Sequence, residues 1–271
     1  MRKLGLEFLG AFGLPPTDLA RIAAELDCQF ISVLPAPIDY NPEGHPAWSL
    51  RDDPQLRREL SRVLADTGIE LTLGEGFPLL PDLDLREAYA GDLDLFRELG
   101  ARRVNALSFD PSLERTTDQF ARFVALAAER GLEPVLEFCP ITVVPDFATA
   151  LSVVRQAGGP ARVLVDTMHT FRSGSTPEQL AAAEPELIGH IQLCDVPRQP
   201  AIADYLEEAM YERMVPGAGE APLAAILAAL PQVESIGLEI PLRGLAEQGI
   251  GVRERMRRCV EGARAVLAQV A

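Results

Sequence analysis

Glu137, Asp166, Gln192 and Glu239 each close a short apolar run: Val135-Leu136-Glu137, Val163-Leu164-Val165-Asp166, His190-Ile191-Gln192 and Ile236-Gly237-Leu238-Glu239. Three carboxylates and an amide oxygen, if gathered, can hold a hard divalent cation and can move protons. The runs read as buried strands. Each donor falls at or near the C-terminal end of its strand, where parallel α/β barrels keep their chemistry. Side-chain alternation keeps the set coherent, since Glu137 shares a face with Val135, Gln192 with His190, Asp166 with Leu164 and Glu239 with Gly237. Carboxylates crowded into an apolar mouth repel one another, and a divalent cation removes that repulsion. A lone acid would more simply cap a helix. Four donors at four successive strand ends point to one metal site, and a set without thiolate favours Mn²⁺ or Mg²⁺ over Co²⁺ or Zn²⁺.

The elements that must position these residues alternate along the whole chain. Strands are expected at Leu4–Leu9, Phe30–Leu34, Glu70–Leu73, Arg103–Leu107, Pro134–Phe138, Arg162–Asp166, Ile188–Leu193 and Ser235–Ile240. Between them lie amphipathic stretches at Thr17–Leu26, Pro54–Asp66, Leu85–Leu99, Ser112–Arg130, Pro145–Gln156, Thr176–Glu184, Pro222–Leu230 and Leu245–Val270. Strict alternation implies a parallel sheet, and 271 residues suit one α/β domain, a single (β/α)8 barrel over 1–271. An open doubly wound sheet is the alternative, but its glycine-rich nucleotide turn is only weakly matched by Gly10-Ala11-Phe12-Gly13. Two long connections, Pro35–Leu50 and Val196–Ala221, are candidate lids, the second with a short helix at Asp204–Met214.

A formal charge of −15 disfavours nucleic acid and anionic lipid as partners. No apolar run approaches the roughly 20 residues of a membrane span, and the N-terminus lacks signal-peptide character. Four scattered cysteines (Cys28, Cys139, Cys194, Cys259) without a CxxC pair read as reduced thiols, so a cytoplasmic protein with a small-molecule substrate is expected. No organic cofactor is expected.

Val165-Asp166-Thr167-Met168-His169 resembles the D-x-x-H motif of the xylose isomerase-like barrels. His190-Ile191-Gln192-Leu193-Cys194-Asp195, with the later Pro216-Gly217-Ala218-Gly219-Glu220-Ala221-Pro222-Leu223, is similar to the hydroxypyruvate isomerase and ketose 3-epimerase branches. The resemblance implies a metal on Glu137, Asp166, Gln192 and Glu239, with Glu137 and Glu239 doubling as the acid/base pair. It also implies that His169 and Arg198 hold substrate oxygens, and that the protein forms a dimer or tetramer. The ketose epimerases usually carry His where this chain has Gln192, whereas hydroxypyruvate isomerase-like members carry Gln.

The chemistry follows from the parts. A cation chelated by a carbonyl and an adjacent hydroxyl acidifies the α-proton, one glutamate removes it, and the other returns a proton. Return to the opposite face epimerises, and return to the neighbouring carbon isomerises. Loss of a β-hydroxyl would instead make the enzyme a lyase, a dehydratase of keto-inositol or dehydroshikimate type. An abasic-site endonuclease would need more than three histidines and a basic groove, and a non-catalytic sugar-binding barrel would not need the glutamate pair. Among lesser candidates, His169 is expected in the loop at the mouth and His190 one layer deeper, as a supporting or packing residue. Glu75 ends the third strand, Asp195 orients a strand end or Arg198, and Arg172, Arg213 and Arg243 are available to a substrate carboxylate. Glu220 beside the Gly217–Gly219 turn would repel phosphate, which favours a non-phosphorylated keto sugar or keto acid.

Overall fold

A computed structural model describes residues 2–270. Eight parallel strands close into a barrel in sequence order: β1 (Lys3–Leu6), β2 (Phe30–Val33), β3 (Glu70–Leu79), β4 (Arg103–Ser108), β5 (Glu133–Glu137), β6 (Arg162–Asp166), β7 (Ile188–Leu193) and β8 (Ser235–Leu238). Closure comes from β1 against β8, paired from Lys3↔Ser235 to Leu6↔Leu238. Outside the barrel run α1 (Pro16–Glu25), α2 (Pro54–Thr67), α3 (Leu85–Glu98), α4 (Leu113–Ala128), α5 (Phe147–Ala157), α6 (Thr167–Ser173), α7 (Pro177–Ala181), α8 (Tyr205–Tyr211), α9 (Leu223–Ala229), α10 (Arg243–Glu247) and α11 (Val252–Leu267). Asp53, Asp84, Ser112, Asp146, Asp166, Thr176 and Asp204 accept backbone N–H bonds at the starts of α2 through α8, satisfying donors that a helix leaves open at its first turn. Among the described residues no helix is long and apolar enough to cross a membrane.

The strand expectations for β6 and β7 match the observed bounds; β1 and β8 end earlier than expected, at Leu6 and Leu238, a helix (α6) stands where a loop was expected, and two further expectations change. β3 runs on to Leu79 with an irregularity between Gly74 and Phe77, so Glu75 lies within the strand rather than at its end. The single helix expected at Leu245–Val270 is two, α10 and α11, separated around Gly249, whose φ of 81° ends the first.

Inward-facing residues stack in layers. At the N-terminal end Arg103 Nε and Arg162 Nε lie 2.6 and 3.1 Å from the Glu133 carboxylate. Above them an apolar plug forms from Leu73, Val135 and Leu164. Phe30 fills the space over Gly5, where an added Cβ would stand 2.1 Å from its ring. This plug closes the barrel from below and leaves the polar residues one layer higher facing its mouth.

Candidate active site

The third layer brings acids from five strand ends together. β1 leads into Glu7, β3 carries Glu75, β5 and β6 end in Glu137 and Asp166, and β8 leads into Glu239; all five are buried. Amide donors hold them apart. Asn105 of β4 donates Nδ2 to Glu75 Oε2 (3.0 Å) and Glu137 Oε2 (2.7 Å). Gln192 donates Nε2 to Glu7 Oε2 (2.8 Å), Glu75 Oε1 (3.1 Å) and Glu239 Oε1 (3.1 Å). Arg213 Nη1 then bridges Glu239 Oε2 (2.9 Å) and Asp166 Oδ2 (2.6 Å). His169 closes the circuit, its backbone N–H on Asp166 Oδ1 (2.9 Å) and its Nε2 3.3 Å from Glu137 Oε1. The result is a ring in which every acid meets a nitrogen donor.

Local sequence explains each placement. The D-x-x-H spacing is a cap: Asp166 ends β6 and caps α6, so His169 sits on a helical first turn, not in the loop expected from sequence. His169 Nδ1 lies 2.6 Å from the Tyr205 hydroxyl, which α8 supplies from the second long connection. His190, one layer below Gln192, lies with Nε2 2.7 Å from Glu7 Oε1. Gly237 makes room for that same carboxylate, since an added Cβ would stand 1.6 Å from Glu7 Oε1.

Arg198 does not join the ring. Its guanidinium is 68% exposed and lies 3.6 Å from Glu220, and its backbone N–H also bonds that carboxylate (2.8 Å). The chain turns outward after β7, and Glu220 offers Arg198 a partner on the surface. Arg172 and Arg243 are likewise taken, by Glu208 (2.7 Å) and Glu207 (2.9 Å). The Pro216–Glu220 turn wraps Asp195 instead of a ligand: Gly217 and Gly219 donate to Oδ2 (2.9 Å each), Val196 (2.9 Å) and Ala221 (3.1 Å) to Oδ1. Of the first long connection, Glu43 is pinned by Val252 N (3.1 Å) and Arg255 Nη1 (2.5 Å), and Trp48 bonds Gly13 O (3.0 Å).

Glu7, Asn105, Tyr205 and the central place of Arg213 escaped the reading of the sequence. A signal for Glu7 was present: Leu4-Gly5-Leu6-Glu7 repeats the pattern of Ile236-Gly237-Leu238-Glu239.

Burial decides the charge states. It pushes Glu75 well above the usual carboxylate range, with Glu7, Glu239 and Glu137 adding repulsion. It pushes Glu239 up as well, against the pull of Arg213 and with added repulsion from Glu137. Asp166 is the opposite case. Burial alone would raise it, but the charge of Arg213 and His169 and their hydrogen bonds hold it below its ordinary value. Side-chain exposure remains on Glu137 (10%) and Glu239 (8%) and is nil on Asp166; as whole residues Glu75 (5%) is nearly as exposed as Glu137 (7%) and Glu239 (6%), so these three are the ring acids that a molecule at the mouth can meet.

Groups that could hold a metal are present. Glu137, Asp166 and His169 offer ligand atoms all within 4.8 Å of one another, and so do Glu7, Glu75 and Glu239. Gln192 Oε1 is buried without a hydrogen-bond partner, as an oxygen reserved for a cation would be. Oxygen and imidazole donors suit a divalent ion. One feature competes with it: between Asp166 and Glu239 stands the Arg213 guanidinium.

A family model described as xylose isomerase-like TIM barrel matches residues 20–259, and the chain belongs to that family. No curated protein matches it by sequence. Among solved structures, the IolI protein with a bound zinc atom superposes with a TM-score of 0.82 at 18% identity, over 99% of each chain. D-psicose 3-epimerase in the presence of D-fructose gives 0.71 at 16% identity, over 98% of this chain and 97% of the other. The probable 3-DHS dehydratase AsbF of Bacillus anthracis gives 0.73 at 15% identity, over 97% and 98%. At these identities the likeness is one of fold.

Proposed function

We propose that this member of the xylose isomerase-like barrels is an isomerase or epimerase of a small, uncharged hydroxy-carbonyl compound, working by proton transfer between Glu137, Glu239 and the substrate. The observation that carries this reading is the acid ring, whose mouth-facing members include Glu137 and Glu239, linked to each other through His169, Asp166 and Arg213. Glu137 is positioned as the base, oriented by Asn105 and His169. Glu239, whose carboxyl burial shifts toward the protonated form while Arg213 pulls the other way, would serve as the acid. The proton leaving the carbon next to the carbonyl would go to Glu137; a proton from Glu239 would then return to the opposite face of that carbon, or to the former carbonyl carbon while the neighbouring hydroxyl passes its proton to the former carbonyl oxygen and becomes the new carbonyl. His169, backed by Tyr205, is placed to hold a substrate hydroxyl.

A divalent cation, Mn²⁺ or Mg²⁺ by the hardness of the donors, would be held by Glu137, Asp166, Gln192 and Glu239 and would acidify the proton beside a chelated carbonyl. The arginines that a keto acid or sugar phosphate would need are engaged: Arg172 with Glu208, Arg198 with Glu220, Arg213 with Asp166 and Glu239, and Arg243 with Glu207. That supports a neutral ketose or cyclic polyol ketone over an anion.

The test is a product screen over such ketones with Mn²⁺ or Mg²⁺ added. The expected product is an isomer or epimer of unchanged mass, with kcat lowered ~10²–10⁴-fold in Glu137→Gln and in Glu239→Gln. A product lighter by one water, with a conjugated chromophore, would contradict the isomerase reading and make the enzyme a dehydratase.

A further inference from the structure

Arg213 is almost fully buried, its side chain only 2% exposed. It reaches the ring from the segment after α8. There the main chain is tied to both neighbouring strand ends: Asp195 and Met214 form an antiparallel bridge, and Arg213 N bonds Pro241 O at 2.8 Å. The guanidinium donates Nε to Ala209 O (2.9 Å) and Nη1 to Asp166 Oδ2 (2.6 Å), to Glu239 O (3.2 Å) and to Cys194 Sγ (3.4 Å). Nη1 also lies 2.9 Å from Glu239 Oε2. One nitrogen thus faces two carboxylates from two strands, which is the position and the charge that a metal ion shared by Asp166 and Glu239 would have.

We propose that Arg213 is the resident cation of this ring, and that its guanidinium and a divalent ion are alternative occupants of the space between Asp166 and Glu239. This rests on the ligand set assigned under the functional reading. Both cannot occupy it, because two cations on the same pair of buried carboxylates repel strongly where burial leaves little screening. The backbone bonds of Arg213 need not break for exchange. Rotation of its long, flexible side chain is enough, so the ion has to displace a preorganised competitor and binds the native protein more weakly than its donors alone would allow.

The experiment is calorimetric titration of the chelator-treated full chain with MnCl₂, alongside thermal unfolding with and without the ion. Arg213→Met and Arg213→Gln, which remove the charge, should bind Mn²⁺ at least about tenfold more tightly than the native protein and gain more in Tm from it. Arg213→Lys, which keeps a cation, should show no such gain. If a neutral variant folds only when Mn²⁺ is present, the ion is supplying the missing charge and the proposal stands. Neutral variants that bind Mn²⁺ no more tightly than the native chain, or that stay unfolded in millimolar Mn²⁺, overturn it. These readouts need no substrate, so a failure here is separate from a failure of the isomerase reading, which the product screen detects.

Discussion

At the scale of single residues, the site is a problem in keeping five acids apart without water. Asn105 and Gln192 do so with one donor nitrogen each, and Arg213 with a full charge. Glu75 has only amide donors beside it, and burial together with repulsion from Glu7, Glu239 and Glu137 favours its protonated form. Its folded pKa lies above the unfolded value of about 4.3. The stability it contributes is therefore complete below that value and is lost as pH rises through the folded pKa. Glu75→Gln removes the titration, at a pH-independent cost because its N–H₂ cannot accept from Asn105 or Gln192 as a carboxyl oxygen does. In metal-free protein the difference in stability between variant and native chain should therefore move in favour of the variant from about pH 4.5 to about pH 8.5. That change should be ~1.4 kcal/mol or more, or roughly 3–5 °C in Tm. Thermal unfolding at the two pH values checks this, and a gap that is the same at both would show that Glu75 is ionised in the fold.

Residue patterns made part of this legible. An apolar run ending in an oxygen donor marks a strand end at the mouth, and it identified Glu137, Asp166, Gln192 and Glu239, which the fold brings to one layer. Glu7 has the same signature, but the expected strand Leu4–Leu9 made it a mid-strand residue. The observed β1 stops at Leu6 and gives way to a turn at Phe8–Ala11. Arg213 had no such signature. An arginine in a connection is usually solvated, and only the bridges of its segment to β7 and β8 aim it inward.

Elements set the spacing within which those residues work. β1 and β8 pair glycine to glycine, Gly5 with Gly237, and each absence of a side chain serves a neighbour: Phe30 lies over one and the Glu7 carboxylate against the other. Gly237→Ala would put a methyl group where Glu7 Oε1 is, and neither strand can retreat without opening the barrel seam. Overpacking of this kind costs about 1–3 kcal/mol, and the displaced carboxylate adds to it by losing His190 and Gln192. Chemical denaturation should show that loss, while an unchanged midpoint would mean that the seam yields. The same scale explains the misplaced helix ends. Capping residues marked the starts of α2 to α5, α7 and α8, but α6 was expected as loop, and Gly249 interrupts an amphipathic pattern that otherwise runs on from Leu245, so periodicity alone joined α10 to α11.

For the whole molecule, the apolar plug beneath the ring and the exposed Leu80, Phe109 and Ile141 beyond the ends of β3, β4 and β5 give an acidic interior with apolar groups along its rim. An anion would meet repulsion there, and the nearby arginines Arg172, Arg198, Arg213 and Arg243 are engaged with acids, whereas a neutral polyol ketone would meet donors, acceptors and the proposed proton-transfer pair. The claim on which this account depends is that the ring exchanges a substrate proton with solvent. The direct measurement is the NMR signal of the proton beside the carbonyl of a turned-over ketone in deuterated water. The account predicts that this signal disappears with the native enzyme as deuterium enters, and that Glu137→Gln slows its loss ~10²-fold or more. Turnover in which the migrating hydrogen never exchanges with solvent, or exchange undiminished in Glu137→Gln, would contradict it.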